Sequence, residues 1–300
     1  MKVKKSYNEF MKNKIYLLML IAILFWSGAF IAAKFSVKEF SPFTLTFFRF
    51  LIASIVIFGI MFRVEKNWKI KWVDLPQFMF LGASGMFGYH LLFFLAMKNT
   101  TVINSSLIGT INPIITTLLA IIVLKDKISV KKSLFILLSF LGVLLTITEG
   151  NLSLLFTLTI NRGDLFMILA VLCWAIYSIA SKKVSLNFTP IVITSYSFLF
   201  CTLFLLPFVI YEKPWLFLKD TTIKGWSAIF YMALFPSVIG FLIQQMAIRS
   251  IGPRRTSMFG FLVPVVSIFL SVLFLKEVLH PIKIFSSLAI ISGVYFATKS

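Results

Sequence analysis

The 300-residue chain is 59% hydrophobic and only 13% charged, with a mean hydropathy of +0.98. That excludes one soluble globular domain, in which about a quarter of residues are charged. The 35 phenylalanines suit a protein whose exterior is as apolar as its core. A net charge of +19 would suggest nucleic acid had the basic residues formed one patch. They fall in short segments between apolar runs and read as cytoplasmic anchors, so no nucleic-acid partner is expected.

The Lys-rich start leads into an apolar run, 15–33, that is too long for a signal-peptide core and lacks a clear cleavage site, so it reads as a first span. Further runs predict helices at 43–62, 75–97, 103–124 and 133–148, then at 164–181, 190–211, 225–247, 256–275 and 282–297. They lie near the ~20 residues that a crossing needs. The expected fold is all-α integral membrane, with ten transmembrane helices. Cys173 and Cys201 sit inside apolar runs at no metal or disulfide spacing and read as packing residues. With the N-terminus inside, most of the 29 lysines and arginines fall on the cytoplasmic side. The outer segments hold Lys34, Lys38, Lys98, Arg162, Lys213, Lys219, Lys224, Lys276 and Lys283, and Arg49 alone lies within a span. This bias predicts both termini inside.

The chain resembles itself at two fixed registers. At 148 residues Leu24, Trp26, Ala32, Lys34, Pro42 and Thr46 match Leu172, Trp174, Ala180, Lys182, Pro190 and Thr194. At 151 residues Ala96, Ser106, Gly109, Pro113, Leu119, Leu124, Lys125, Lys132, Gly142 and Val143 match Ala247, Ser257, Gly260, Pro264, Leu270, Leu275, Lys276, Lys283, Gly293 and Val294. Two units, 15–148 and 164–297, each with an odd number of spans, must enter the membrane from opposite sides. The expectation is an inverted-topology repeat, a geometry suited to alternating access.

These features resemble the drug/metabolite transporter superfamily, and within it the EamA family of bacterial exporters, over essentially the whole chain. The residues that carry the resemblance are the run Leu24 to Phe30, Phe47 to Phe50, Asn112-Pro113, and Lys125-Asp126 in the first half. In the second half they are Cys173 to Ser178, Pro264 and Lys276-Glu277. The resemblance implies two domains of five helices, a bacterial cytoplasmic membrane location and export of small organic molecules. The stretch Gly88 to Phe94 looks like that of members exporting amino acids, in which Tyr89 and His90 would face a central cavity. Asp126 departs from the family's usual Glu.

Polar groups in hydrocarbon are costly unless they face protein or a wet cavity, so they are the candidates for a substrate path. His90 is the one histidine within a span; it could bind substrate or take a proton, or sit neutral between helices. The neighbouring Tyr89 and the resemblance favour cavity lining. Arg49 could snorkel to the interface, pair with a neighbouring helix or attract an anionic group. Ser105, Gly109 and Asn112 share a face at i, i+4, i+7 that could pack or line the cavity. Pro113 and Pro264 remove donors mid-helix and are candidate kinks or gates. Trp26, Trp174, Tyr177, Tyr89 and Phe93 could wall a site for an apolar or aromatic substrate, with Gln244 and Gln245 as hydrogen-bond partners; core packing is the other reading.

No Asp or Glu lies in mid-span, so proton coupling would run through His90, or the protein works as a facilitator. No phosphate-binding glycine loop is present, so no ATP use is expected; no cofactor or metal is expected either. The leading expectation is a secondary carrier of amino acids or related metabolites, with substrate and lipid bilayer as its partners. The alternative, an intramembrane lipid-modifying enzyme, would need clustered acid, base or metal groups that the sequence does not offer.

Overall fold

A computed structural model describes residues 2–99, 105, 108–126, 129–148, 150–151, 153, 162–263, 265–266, 270 and 281–299. Among the described residues the chain is helical and has no strand. The helices are α1 (Lys2–Glu39), α2 (Pro42–Val64), α3 (Trp72–Asn99), α4 (Asn112–Leu124) and α5 (Val130–Ile147). They continue as α6 (Arg162–Val184), α7 (Pro190–Glu212), α8 (Ile223–Ile251), α9 (Pro253–Met258) and α10 (Pro281–Lys299). Pro264, and the expected run 256–275 beyond residue 270, lie outside the described residues.

Among the described residues, α2, α3, α6, α7 and α8 are long and apolar enough to cross a membrane. The 23 residues of α2 make a rod of about 35 Å, against a hydrocarbon core of about 30 Å. Their outward faces are apolar, with Ile55, Phe62, Leu203 and Ile210 all exposed. Three shorter apolar stretches, Lys14–Ala29, Asn112–Leu124 and Ile284–Ala297, accompany them.

Local sequence explains the helix ends. Ser41 caps α2 by accepting the Thr44 N–H, and Pro42 occupies the first turn, where its missing donor costs nothing. The run expected at 103–124 is broken by a turn at Thr110 and Ile111, and Pro113 falls in the first turn of α4 instead of at a helix centre. A tightened turn, Phe259–Phe261, stands at the corresponding place after α9.

The packing pairs like with like. α2 lies on α7, α4 on α9 and α5 on α10, while α1 packs against α8 and α3 against α6. The α2 and α7 pair is antiparallel and tied at both ends. At one end Ser41 and Thr44 donate to the Glu212 carboxylate, the Thr44 bond being 2.7 Å; at the other Thr189 donates to Glu65 at 2.6 Å. Glu39 at the end of α1 accepts both the N–H and the hydroxyl of Thr222, the cap of α8, at 2.8 Å each. Between α5 and α10 the backbones come close because Gly142 and Gly293 carry no Cβ. A methyl on Gly142 would stand 3.0 Å from the Ser286 carbonyl, and one on Gly293 2.8 Å from the Phe135 carbonyl.

Both α3 and α8 contain a π-helical stretch, Gly82–Gly88 and Ala233–Phe241. The two begin 151 residues apart, the register of the internal sequence match. In α8 the cause is Pro236, which lacks the N–H that would meet the Met232 carbonyl; the Ser237 hydroxyl donates to that carbonyl at 2.9 Å. In α3 the stretch is glycine-rich and presses on α6 and α7. A Cβ on Gly82 would stand 2.6 Å from the Phe200 Cβ, and one on Gly85 would enter the Tyr177 ring.

Candidate functional site

Widening a helix to the π form frees carbonyls from the i to i−4 ladder, and such bulges occur frequently at functional sites. Here aromatic N–H groups take the freed carbonyls. His90 Nδ1 lies 3.0 Å from the Met86 carbonyl and 3.3 Å from that of Gly85, so the proton sits on Nδ1 and Nε2 is left as an acceptor. The Trp26 indole donates to the Pro236 carbonyl at 3.2 Å. Gly85 and Pro236 are 151 residues apart, so one device serves both stretches.

Around them lies an aromatic cluster drawn from α2, α3, α6, α7 and α8. His90 stands edge-on to Phe50 at 4.8 Å, to Tyr89 at 4.8 Å and to Phe241 at 5.5 Å between ring centroids. Trp174 packs on Tyr89 at 4.6 Å, Tyr177 at 5.3 Å, Phe241 at 5.4 Å and His90 at 6.1 Å. Phe198 closes on Phe50 at 5.1 Å. The buried members are His90, Phe50, Phe198, Phe241 and Tyr177, whereas Tyr89, Trp174 and Trp26 are half-buried. Tyr89, Trp174 and Trp26 thus keep accessible apolar surface beside the buried rings.

The structure therefore brings together Tyr89, His90, Trp174 and Tyr177, with Trp26 joined through Phe241 at 6.0 Å and Phe93 stacked on Tyr89 at 6.0 Å. Asn112 makes different contacts. Its amide donates to the Val171 carbonyl at 3.5 Å and its oxygen accepts from Thr116 at 3.2 Å, so its hydrogen bonds link α4 to α6. Gln244 is buried and its Oε1 has no hydrogen-bond partner among the described residues. Its neighbour Gln245 is the glutamine tied to the cluster, donating to the Tyr177 hydroxyl at 2.5 Å and to Ser181 at 3.2 Å.

Arg49 does not snorkel. It is 4% exposed, and its Nε donates to the Ser237 hydroxyl at 2.9 Å. Its guanidinium carbon lies 5.4 Å from the Phe50 ring and 5.9 Å from the Phe241 ring, the two rings that also flank His90. Sequence reasoning did not select Phe50, Phe198, Phe241 or Ser237. The 151-residue register could have found Phe241, which is the partner position of His90.

Among the described residues no group of three or more His, Cys, Asp and Glu is placed to hold a metal ion.

Comparisons with known proteins cover from 64% to 96% of the chain. An uncharacterized transporter of Bacillus subtilis, YyaM, is 34% identical over 289 residues, covering 95% of this chain and 93% of that protein. An uncharacterized transporter of Archaeoglobus fulgidus is 28% identical over 96% of this chain and 98% of its own length. YhbE of Escherichia coli K12, an uncharacterized inner membrane transporter, is 25% identical over 64% of this chain and 61% of its own. A solved crystal structure, 20% identical, superposes with a TM-score of 0.76 over 96% of this chain and 97% of the other, and so shares the fold. The model of the EamA-like transporter family matches residues 13–148 and again 161–299. The chain belongs to the EamA-like transporter family.

Proposed function

We propose that this membrane protein is a secondary carrier of small organic metabolites, amino acids or related compounds first among them, working as an exporter or facilitator in a bacterial cytoplasmic membrane. The reading takes ten crossings arranged as two inverted five-helix units, 15–148 and 164–297, with both termini inside. The observation that carries it is the half-buried aromatic cluster between α2, α3, α6, α7 and α8, set where two π-helical stretches interrupt otherwise regular helices. It is supported by the antiparallel pairing of α2 with α7, as an inverted repeat demands of equivalent helices. In this reading Tyr89, Trp174 and Trp26 offer aromatic faces to the substrate, Phe93 and Tyr177 back them, His90 supplies a proton or hydrogen-bond acceptor, and Gln244 and Asn112 supply polar contacts. The turn before Pro113 and the turn Phe259–Phe261 that follows α9 let segments of α4 and α9 move as the halves rock. Direct involvement of His90 makes the flux sensitive to an imposed pH gradient.

The test is uptake of labelled amino acids and related metabolites into proteoliposomes, with and without a pH gradient, for the wild type and for His90→Ala and Trp174→Ala. Saturable flux that both variants lose while remaining monodisperse supports the carrier and its site. Absence of saturable flux across the panel overturns the reading for this substrate class.

A further inference from the structure

Arg49 stands out among the buried groups. A guanidinium presents five N–H donors and cannot be neutralised in a protein, so burying one away from water is costly unless a partner meets it. Here the Nε donor is held by Ser237, whose own hydroxyl proton is committed to the Met232 carbonyl. That arrangement fixes the plane of the fork. The two terminal nitrogens, with the remaining four donors, have no hydrogen-bond or carboxylate partner among the described residues. The chain has 10 acidic residues, and none lies in mid-span. Glu39, Glu65 and Glu212, the described carboxylates nearest in sequence to α2 or to its partner helix α7, are spent on the helix-end hydroxyls of Thr222, Thr189, Ser41 and Thr44.

The flanking surfaces are aromatic. Phe50 and Phe241 lie beside the cation and also beside His90, and Trp174 continues the wall from Phe241. A fork of donors matches the two oxygens of a carboxylate, and a low-dielectric aromatic surround strengthens that pairing over water.

We propose that Arg49 is the anchor of the substrate's anionic group: the carrier takes a small organic carboxylate whose apolar or aromatic body lies along Trp174 and Tyr89, and the carboxylate seats on the two terminal nitrogens of Arg49. Ser237 is a positioning residue that aims the fork. This rests on the carrier reading above and adds the charge of the ligand. A carboxylate completes the hydrogen bonding of a buried cation, whereas an amine lacking one would bring a second positive charge to it.

The experiment uses purified full-length protein and three probes that differ only in charged groups: phenylalanine, 3-phenylpropionate and 2-phenylethylamine. Binding is read from intrinsic tryptophan fluorescence, to which Trp174 contributes, and from competition against labelled flux in proteoliposomes. The expected result is saturable binding of phenylalanine and 3-phenylpropionate and at least a tenfold weaker response to 2-phenylethylamine. Arg49→Gln should lose carboxylate binding by at least tenfold, Arg49→Lys should recover part of it, and Ser237→Ala should give an intermediate loss. Equal or stronger binding of the amine, no binding of either carboxylate, or unchanged carboxylate binding in a monodisperse Arg49→Gln overturns the proposal. The ligand series on the wild type decides the matter even if Arg49→Gln does not fold. Flux of an uncharged or cationic substrate that ignores Arg49 overturns this inference and leaves the carrier standing; no saturable flux of any compound removes the carrier itself.

Discussion

Two regions of this protein share a backbone and differ in chemistry. The π-helical stretches Gly82–Gly88 of α3 and Ala233–Phe241 of α8 begin 151 residues apart, and each has a freed carbonyl met by an aromatic N–H, from His90 and from Trp26. The first is made by glycines that admit α6 and α7 at close range; the second is made by a proline that deletes a ladder bond. Beyond the shared frame the repeat departs from itself. At 151 residues His90 answers to Phe241 and Phe94 to Gln245, and at 148 residues Arg49 answers to Ser197. Matched positions build the scaffold and supply the aromatic pair Trp26 and Trp174, whereas His90, Arg49 and Gln245 stand where the match fails. That is the expected outcome when a duplicated frame must hold one asymmetric ligand.

The comparison can be broken at its frame or sharpened at its chemistry. The largest effect is expected from Gly85→Ala. The new methyl meets the Cβ and ring of Tyr177, atoms anchored near the α6 backbone that cannot swing away. Overpacking of this kind costs about 1–3 kcal/mol or more, whereas Gly59→Ala, with open space around it, should stay within about 0.5 kcal/mol. Thermal unfolding in detergent compares the two, and equal melting temperatures would show that the α3 glycines do not set the close approach to α6.

Next is His90→Phe, which makes the two π stretches alike at this position. The ring still packs against Phe50 and Phe241, so the protein should purify as a monodisperse species. Flux in proteoliposomes should fall at least tenfold, about 1.4 kcal/mol of lost interaction. Unchanged flux would reduce His90 to a packing residue.

Tyr177→Phe removes the hydroxyl that accepts from Gln245, leaving that buried amide with Ser181. A loss of about 1–2 kcal/mol is expected, read from denaturant unfolding. The smallest difference concerns the two ends of the α2 and α7 pair. Ser41 both caps α2 and donates to Glu212, whereas Thr189 donates to Glu65 without capping its own helix. Ser41→Ala should therefore cost about 1–2 kcal/mol and Thr189→Ala about 0.5–1 kcal/mol. A reversed order in melting temperature would mean that the carboxylate bonds outweigh the cap.

Much of the helix layout was legible in advance. The expected spans 43–62 and 190–211 fall within α2 and α7, and 164–181 within α6, because long apolar runs bounded by Pro, Ser and charged residues leave the backbone few alternatives. Tyr89, His90 and Trp174 were legible as candidates because a polar or mid-span aromatic side chain in hydrocarbon is conspicuous. Phe50, Phe198 and Phe241 were not, since a phenylalanine facing the cluster reads like one facing lipid. Gln244 and Gln245 were legible together but could not be told apart. Both are polar and adjacent, but a regular helical count cannot carry a face through a π stretch, where each inserted residue turns the helix by about 100°. Gln245 is the one that reaches Tyr177. Pro113 was misplaced for a related reason: a proline inside an apolar run looks like a mid-helix kink, whereas the chain breaks first, at Thr110 and Ile111, and restarts with the proline in its first turn.

By itself the sequence determined that the protein is helical, apolar on its outside and internally repeated, because composition, run length and register are properties of neighbouring residues and of fixed offsets along the chain. Only the tertiary structure decided that Arg49 turns inward to Ser237, 188 residues away, that His90 and Phe241 share a wall, and that Asn112 reaches the Val171 carbonyl of α6. Those facts depend on the rotation of each helix about its own axis and on its partner. Both are set by close contacts such as Gly85 on Tyr177 and by two π stretches, one where glycines admit neighbouring helices and one where a proline deletes a ladder bond.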